Sequence, residues 1–462
     1  MGRGWIETWN PEDEEFWERG GKSVARRNLV FSIFAEFLGF AVWVLWSVTA
    51  AKLNEAGFHF STSQLFTLAA IPPLVGATVR FPYTLAVPRF GGRNWTVVSA
   101  LLLLLPVGFL AVAVTNPGTP YWAFLLAAAT AGLGGGNFAS SMANISFFYP
   151  DRRKGFALGL NAAGGNIGVA VAQFFVPLVV TLPALAVVGG SQGSSGKLFL
   201  QNAALIWVPL ILAAAACAWF FMDNLRVARS GIKDQAVIVR RKQTWVMSWI
   251  YVGTFGSFIG YSAGLPLLIK TQFPKVSLSI AFLGPLVGSL SRPIGGWLAD
   301  RMGGARVTLA TFGAMILAVG GVIFFLAHKN EPYAFGGFLA MFVVLLALTG
   351  IGNGSTYRMI PMIFRAIHLN GAPGQPEAAQ AALRSARRET AAALGFIGAI
   401  GAYGGWLIPQ GYAISASTIG TPAGALYFFV AFYVTCLGLT WWYYLRRSFA
   451  IERAPSLAHA EV

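Results

Sequence analysis

The chain has 462 residues, of which 56% are apolar and only 11% are charged, and its mean hydropathy is +0.63. Because soluble globular proteins carry about 25% charged residues, this composition excludes a soluble globular protein and indicates an integral membrane protein. The net charge of +16 would suit a nucleic-acid-binding protein, but the basic residues are spread over alternate loops rather than gathered on one soluble surface, which argues against that function.

Twelve apolar segments recur along the chain, each long enough to cross a membrane. A spanning helix needs about 20 predominantly apolar residues, and runs of this length without period-two alternation are helices rather than barrel strands. The sequence therefore predicts an all-α membrane protein with twelve transmembrane helices. In chain order, segments 1 to 12 cover 28–51, 64–88, 95–115, 120–149, 156–188, 200–222, 245–269, 276–299, 307–328, 333–364, 391–417 and 422–445.

The 33 lysines and arginines are distributed unevenly across the membrane. When both chain ends are assigned to one side, 25 of them lie on that side, five on the other and three inside segments. This excess is the positive-inside pattern, which predicts that both termini are cytoplasmic. We call the richer side the basic face and the other side the opposite face, and we predict an integral protein of the plasma membrane, in a bacterium the inner membrane.

Segments 2 and 8 each contain one arginine with matching surroundings. Arg80 lies nine residues before Arg89 in RFGG, and Arg292 lies nine residues before Arg301 in RMGG. At about 1.5 Å per residue, nine residues place each guanidinium about 13 Å inside the membrane. No long side chain snorkels from that depth, and neither segment contains an acid, so we interpret both charges as functional.

The sequence contains an internal repeat that divides the chain into two similar halves. Segment 4 contains AGLGGGNFASSM (131–142) and segment 10 contains TGIGNGSTYRMI (349–360), with three glycines in register. We predict an N-terminal six-helix bundle at 1–222, a cytoplasmic linker at 223–244 and a C-terminal bundle at 245–462. A second polar loop is expected at 368–389. Two such halves suit a transporter with a midplane site between them, whereas a channel would favour a ring of like groups around a pore.

Two facing guanidiniums make a site for a small oxyanion, because each presents a rigid planar fork of donors. Asn166 in segment 5 adds a buried amide that can orient such an anion. Glu36 is the one acid well inside a segment, and it either couples transport to protons or forms a permanent ion pair. Arg358 lies nearer the basic face, where function and snorkelling are equally open.

Several other residues are candidates for packing or gating. Arg89, Asp300 and Arg301 lie at the basic face, where ion pairs could latch one conformation. Phe138, Tyr251 and Phe255 either sandwich a flat anion or pack as ordinary membrane aromatics. Segments 5 and 11 are rich in glycine, which allows helices to approach closely and rock. Their central pairs are Gly164, Gly165, Gly404 and Gly405.

No catalytic, metal or cofactor site is predicted. The two cysteines lie in segments 6 and 12, where they resemble small apolar residues. A membrane enzyme or sensor lacks support, since the sequence has no ligand spacing for haem or a metal.

Six longer motifs are distributed over nearly the whole chain: WNPEDEEFWERGGKSVARRNL, NFASSMANISFFYP, ALGLNAAGGNIGVAVAQ, GTFGSFIGYSAG, RPIGGWLADRMGG and TAAALGFIGAIGAYGGWLIPQ. Through these motifs the chain resembles the nitrate/nitrite porters of the major facilitator superfamily. The two glycine-rich stretches resemble the paired signature motifs of the family.

This resemblance implies that Arg80 and Arg292 clamp the anion, that Asn166 hydrogen-bonds to it, and that the three aromatic residues shape its pocket. It also implies alternating access, with nitrate and nitrite as substrates and a monomer in the lipid bilayer. The mode stays open between nitrate/nitrite exchange and proton-linked nitrate uptake. The alternative function is a carrier for another small inorganic or organic anion.

Overall fold

The computed structural model describes residues 5–183, 191–193, 196–228, 237–370, 376–448 and 456–458. Twelve long helices, several of them broken by a short kink, dominate these residues. They are α1 (Lys22–Trp43, continued as Leu45–Leu53), α2 (Thr62–Phe90), α3 (Gly92–Leu102 and Leu104–Ala113), α4 (Tyr121–Phe148), α5 (Asp151–Val179), α6 (Asn202–Leu205 and Trp207–Phe221), α7 (Lys242–Tyr251, Val252–Gly256 and Ser257–Gln272), α8 (Leu283–Met302), α9 (Gly304–Ala327), α10 (Ala334–Asn370), α11 (Pro376–Ala402 and Gly404–Thr418) and α12 (Ala425–Tyr444).

Each of the twelve predicted segments corresponds to one of these helices. In the described part of the chain, eleven helices are both long enough and apolar enough to span a membrane. The remaining one is α4, which has 28 residues but carries the polar and glycine-rich run GLGGGN at its centre. That run lowers the mean hydropathy of the helix without interrupting it, because neighbouring helices bury the glycines. The predicted all-α membrane fold is confirmed.

The helices pack as two bundles of six. In the first, α1 packs on α4 and α5, and α2 packs on α4; in the second, α7 packs on α11, and α8 and α9 pack on α10. Between the bundles, α2 contacts α11, α5 contacts α8 and α1 contacts α7. Both arginine-bearing helices, α2 and α8, therefore lie at the boundary between the halves.

Polar contacts join the two halves near the opposite face. Glu55, just after α1, accepts a hydrogen bond from Lys52 at 2.7 Å and forms an ion pair with Lys270 near the end of α7. About two helical turns earlier in α7, the carbonyl oxygen of Ser262 accepts a hydrogen bond from the amide of Gln173 in α5 at 2.5 Å. These contacts hold the bundles together on that side.

Short non-helical elements lie at the ends of the bundles. Trp5–Ile6 pairs in parallel with Asn224–Leu225, and Ser191–Gly193 pairs with Gly196–Leu198. The N-terminal segment is also held by a bidentate ion pair between Glu14 and Arg152. The segment before α1 therefore packs under the N-terminal bundle.

The predicted polar loop at 368–389 is wrong. Helix α10 continues to Asn370 and α11 begins at Pro376, while 371–375 lie outside the described residues. The loop is predicted because the stretch is polar and charged. Its alanines, glutamates, glutamines and arginines are strong helix formers, however, so α10 and α11 both extend beyond their apolar segments. Part of the predicted linker, 229–236, also lies outside the described residues, and the proposed domain bounds stay a prediction.

Candidate functional site

The two membrane arginines are buried side chains on equivalent helices. Arg80 lies in α2 with no exposed surface, and Arg292 lies in α8 with 4% exposure. Each helix contains a proline close to its arginine, Pro82 and Pro293. Burial to this extent rules out snorkelling for both residues, because a snorkelling guanidinium ends at the polar interface.

Both arginines lie close to the same aromatic ring, that of Phe138. The guanidinium carbon of Arg80 lies 4.7 Å from the centroid of the Phe138 ring, and that of Arg292 lies 5.7 Å from it. Phe255 stacks on Phe138 at 5.6 Å, and Tyr251 stacks on Phe255 at 5.3 Å. These five side chains form a compact cluster that we call the arginine site. It consists of one arginine from each half, one ring from α4 (Phe138) and two rings from α7 (Tyr251 and Phe255).

Helix α7 is locally distorted where it contributes to the arginine site. Residues Val252–Gly256 form a π-helical turn, a feature that often marks functional sites. Gly256 allows this turn to approach α11, since a Cβ on Gly256 would lie 2.7 Å from the Cα of Gly404. The predicted glycine Gly404 therefore serves close packing between α7 and α11.

Arg80 is held in place by backbone carbonyls from both halves. Its Nε donates to the carbonyl of Gly135 in α4 at 2.9 Å, and its Nη1 donates to that of Gly398 in α11 at 2.7 Å. Its Nη2 has no partner, and neither has Nη1 of Arg292. Buried charged donors without partners are costly, so these two nitrogens are suited to receive an anion.

Sequence reasoning missed two aromatic residues of the site. Trp43 lies 5.3 Å from the Arg80 guanidinium, and its indole is fixed by a 2.8 Å hydrogen bond to the carbonyl of Pro72. Tyr357 lies 5.5 Å from the Arg292 guanidinium. Tyr357 belongs to the glycine motif of α10, but nothing in the sequence indicates that its ring faces an arginine.

Glu36 lies in a buried polar cluster next to α4 and α5. Its Oε2 accepts hydrogen bonds from Ser141 and, at 2.7 Å, from the amide of Asn161, while its Oε1 has no partner. Gly165 makes room for this carboxyl, because a Cβ there would lie 2.6 Å from Oε1. Among the described residues Glu36 forms no salt bridge with an arginine in this conformation, and the choice between proton coupling and a permanent ion pair stays a prediction.

Asn166 is buried in α5, and both polar atoms of its amide lack partners. It is not hydrogen-bonded to either arginine. Gly164 packs against Ile33 of α1, and Gly405 packs between Ile259 and Pro73. These glycines lie at contacts between helices, Gly164 within the N-terminal half and Gly405 both within its own half and with α2 of the other half.

The charged residues predicted to latch the halves at the basic face, Arg89, Asp300 and Arg301, make contacts within their own half here. Asp300 pairs with Arg358, but both belong to the C-terminal bundle and both are exposed. Arg301 lies over Trp297 and Arg89 over Phe90; neither arginine pairs with a carboxylate in the described part of the chain. Aromatic rings contact both guanidiniums in this conformation, and the latching role of Arg89, Asp300 and Arg301 stays a prediction.

Comparison with known proteins places the chain in a family. The family model of the major facilitator superfamily matches residues 29–409. The chain is 46% identical to the nitrate/nitrite transporter NarU of Salmonella typhimurium strain LT2 over 446 residues, which cover 96% of each protein. It is 36% identical to the probable nitrate/nitrite antiporter NarK2 of Thermus thermophilus, covering 96% of this chain and 97% of that protein.

Solved structures support the same fold. A bacterial homologue of the human lysosomal transporter Spinster, in an inward-facing and unoccupied conformation, superposes with a TM-score of 0.61 at 14% identity, covering 91% of this chain and 96% of that one. The family match and the relatives agree with the resemblance of the sequence motifs. The chain belongs to the major facilitator superfamily and, within it, to the nitrate/nitrite porters.

Proposed function

We propose that this membrane transporter moves nitrate and nitrite by alternating access, and that the arginine site binds one anion at a time. The observation that carries the proposal is the placement of two buried guanidiniums, one from each half, against the same Phe138 ring. The relatives described as nitrate/nitrite transporters support the choice of anion.

The geometry of the site suits a small planar oxyanion. Guanidinium groups bind the edges of such an anion through parallel N–H donors, and the stacked rings of Phe138, Phe255 and Tyr251 offer flat faces. A bulkier anion, such as a carboxylate or phosphate, is the alternative substrate. We expect both to compete poorly, because the closely packed rings leave little space for a tetrahedral phosphate or for the substituent that a carboxylate carries on its carbon.

We propose exchange of one anion for another as the transport mode. Among the described residues, no carboxylate forms an ion pair with Arg80 or Arg292. An empty carrier would have to close around two unpaired guanidiniums, and burying an uncompensated charge costs several kcal/mol. A bound anion removes part of that cost, so the loaded carrier changes conformation more readily than the empty one.

Proton-linked nitrate uptake is the second candidate mode, and Glu36 is the residue that supports it. The carboxyl is buried near the arginine site, and its Oε1 is free of hydrogen bonds. In this mode a proton on Glu36 travels with the anion. Glu36→Gln removes the titratable group while it keeps a hydrogen-bonding side chain of the same size.

The test is transport in proteoliposomes loaded with nitrite or left empty of anion. Labelled nitrate should enter only when nitrite or nitrate is inside, and a pH gradient should have little effect. Arg292→Gln should abolish entry. Rapid entry into anion-free vesicles, driven by a pH gradient and lost in Glu36→Gln, would instead establish the proton-linked mode.

We further propose that the protein acts as a monomer in the plasma membrane, the bacterial inner membrane where the source is bacterial, with both termini cytoplasmic. The excess of lysine and arginine at the basic face supports this orientation. Since one chain supplies both arginines, no second copy is needed to complete the site. Labelling of cysteines introduced at either face of whole cells tests the orientation, and mass measurement in detergent tests the oligomeric state.

A further inference from the structure

Asn353 is a buried polar residue of α10 that adjoins the arginine site. Its side chain has no exposed surface. Its Oδ1 accepts a hydrogen bond from the hydroxyl of Tyr251 at 2.9 Å, whereas its Nδ2 has no partner. The same Tyr251 hydroxyl interacts with the guanidinium of Arg292. The free amide nitrogen therefore lies close to the Arg292 side of the site, and its two N–H donors are unused.

The two halves differ at this position. In the register of the repeated glycine motifs, Asn353 of α10 corresponds to Gly135 of α4. The carbonyl of Gly135 accepts a hydrogen bond from Arg80, and a Cβ at Gly135 would lie 2.6 Å from the ring of Trp43. A side chain is thus excluded on the Arg80 side, whereas the Arg292 side carries an amide. The arginine site has an additional donor on one side only.

A buried amide without a partner is unfavourable, and an anion at the site can satisfy it. Nitrate and nitrite differ in the number of oxygen atoms that need donors, three in nitrate and two in nitrite. The free nitrogens of Arg80 and Arg292 supply donors for two oxygens. A third oxygen, if buried without a donor, would carry a desolvation penalty that nitrite does not have.

We propose that Asn353 is a specificity-determining residue, whose Nδ2 donates to the third oxygen of bound nitrate and so favours nitrate over nitrite. This inference rests on the proposed function, because it assumes that both anions occupy the arginine site. The hydrogen bond from Tyr251 to Oδ1 orients the amide so that its nitrogen faces the anion. Tyr251 thus positions the amide, and Asn353 distinguishes nitrate from nitrite through the hydrogen bond to the third oxygen.

The proposal is tested by measuring the Kd of nitrate and of nitrite for the purified full-length protein and its variants by titration calorimetry. Asn353→Ala should weaken nitrate binding about tenfold, the effect expected for loss of one hydrogen bond to a charged ligand, and nitrite binding less than about threefold. Asn353→Ser, which keeps a polar group beside Tyr251, should give an intermediate ratio. Asn202→Ala is the matched control, since this buried amide donates to the carbonyls of Val179 and Leu182, at and just after the end of α5, rather than to the site, and it should leave the ratio unchanged.

Two outcomes separate this inference from the proposed function. If the wild-type protein binds both anions but Asn353→Ala and Asn353→Ser weaken both equally or neither, the specificity role is overturned while the transport function stands. If the wild-type protein binds neither anion, the proposed function itself fails. A thermal unfolding curve for each variant shows whether the altered binding comes from a folded protein.

Discussion

Replacing Arg80 by lysine separates the charge of this residue from its geometry. Arg80 uses Nε and Nη1 to bind two carbonyls and keeps Nη2 free. A lysine carries the same charge on one nitrogen, which cannot reach both carbonyls and also face the anion. Loss of at least one charge-assisted hydrogen bond, worth about 1.5 to 3 kcal/mol, should weaken nitrate binding by about 10-fold to 150-fold.

The assay is nitrate affinity by calorimetry, together with nitrate/nitrite counterflow in proteoliposomes. Arg358→Lys is the matched control, because Arg358 forms an exposed ion pair with Asp300 and such pairs contribute at most about 1 kcal/mol. This control should bind nitrate within about threefold of the wild type. If Arg80→Lys bound nitrate as well as the control did, the guanidinium of Arg80 would not be a ligand of the anion, and the account of the site would be refuted.

Three further variants test other parts of the structure. Glu36→Gln should keep nitrate/nitrite counterflow within about twofold of the wild type, because this carboxyl forms no ion pair with the arginines; loss of counterflow would make it part of the anion site. Glu55→Gln removes the partner of Lys270 and should raise the labelling rate of cysteines introduced at the opposite face by about fivefold, as expected for a loss of about 1 kcal/mol. The double variant Glu55→Lys with Lys270→Glu should return the labelling rate to that of the wild type, and a rate that stays high would contradict the pairing. At Glu389, burial raises the carboxyl pKa, but the hydrogen bond and charge of Arg241 outweigh it, so the pKa lies below its ordinary value. The pair therefore stabilises the protein above the unfolded pKa, about 4.3, and this contribution is lost as pH falls through the lowered pKa; the difference in Tm between the wild type and Glu389→Gln should be present at neutral pH and vanish in acid, and a constant difference would argue against the ion pair.

The helical fold and the placement of the two arginines follow directly from sequence patterns. Hydropathy locates even α4, whose centre is polar and rich in glycine, because the residues on either side of that centre are apolar. The nine-residue spacing from Arg80 to Arg89 and from Arg292 to Arg301 places the buried charges at equal depth. Depth along a helix is a simple function of residue number, so these predictions needed no knowledge of packing.

The parts that the sequence does not reveal depend on which way each helix faces. Trp43, Tyr357 and Asn353 lie in segments that were recognised, yet their contacts with the site depend on helix rotation and on neighbours from distant parts of the chain. The polar partners of Glu36 come from α4 and α5 for the same reason. Membrane helices lack a polar outer face that would fix their rotation, so a single sequence leaves these contacts undetermined.

The most direct test of the central claim is an experimental structure of the protein with nitrate bound, at a resolution that shows the anion. We expect one planar density beside the Phe138 ring, within hydrogen-bonding distance of both Arg80 and Arg292. Density elsewhere, or an anion that contacts one arginine while the other pairs with a carboxylate, would contradict it.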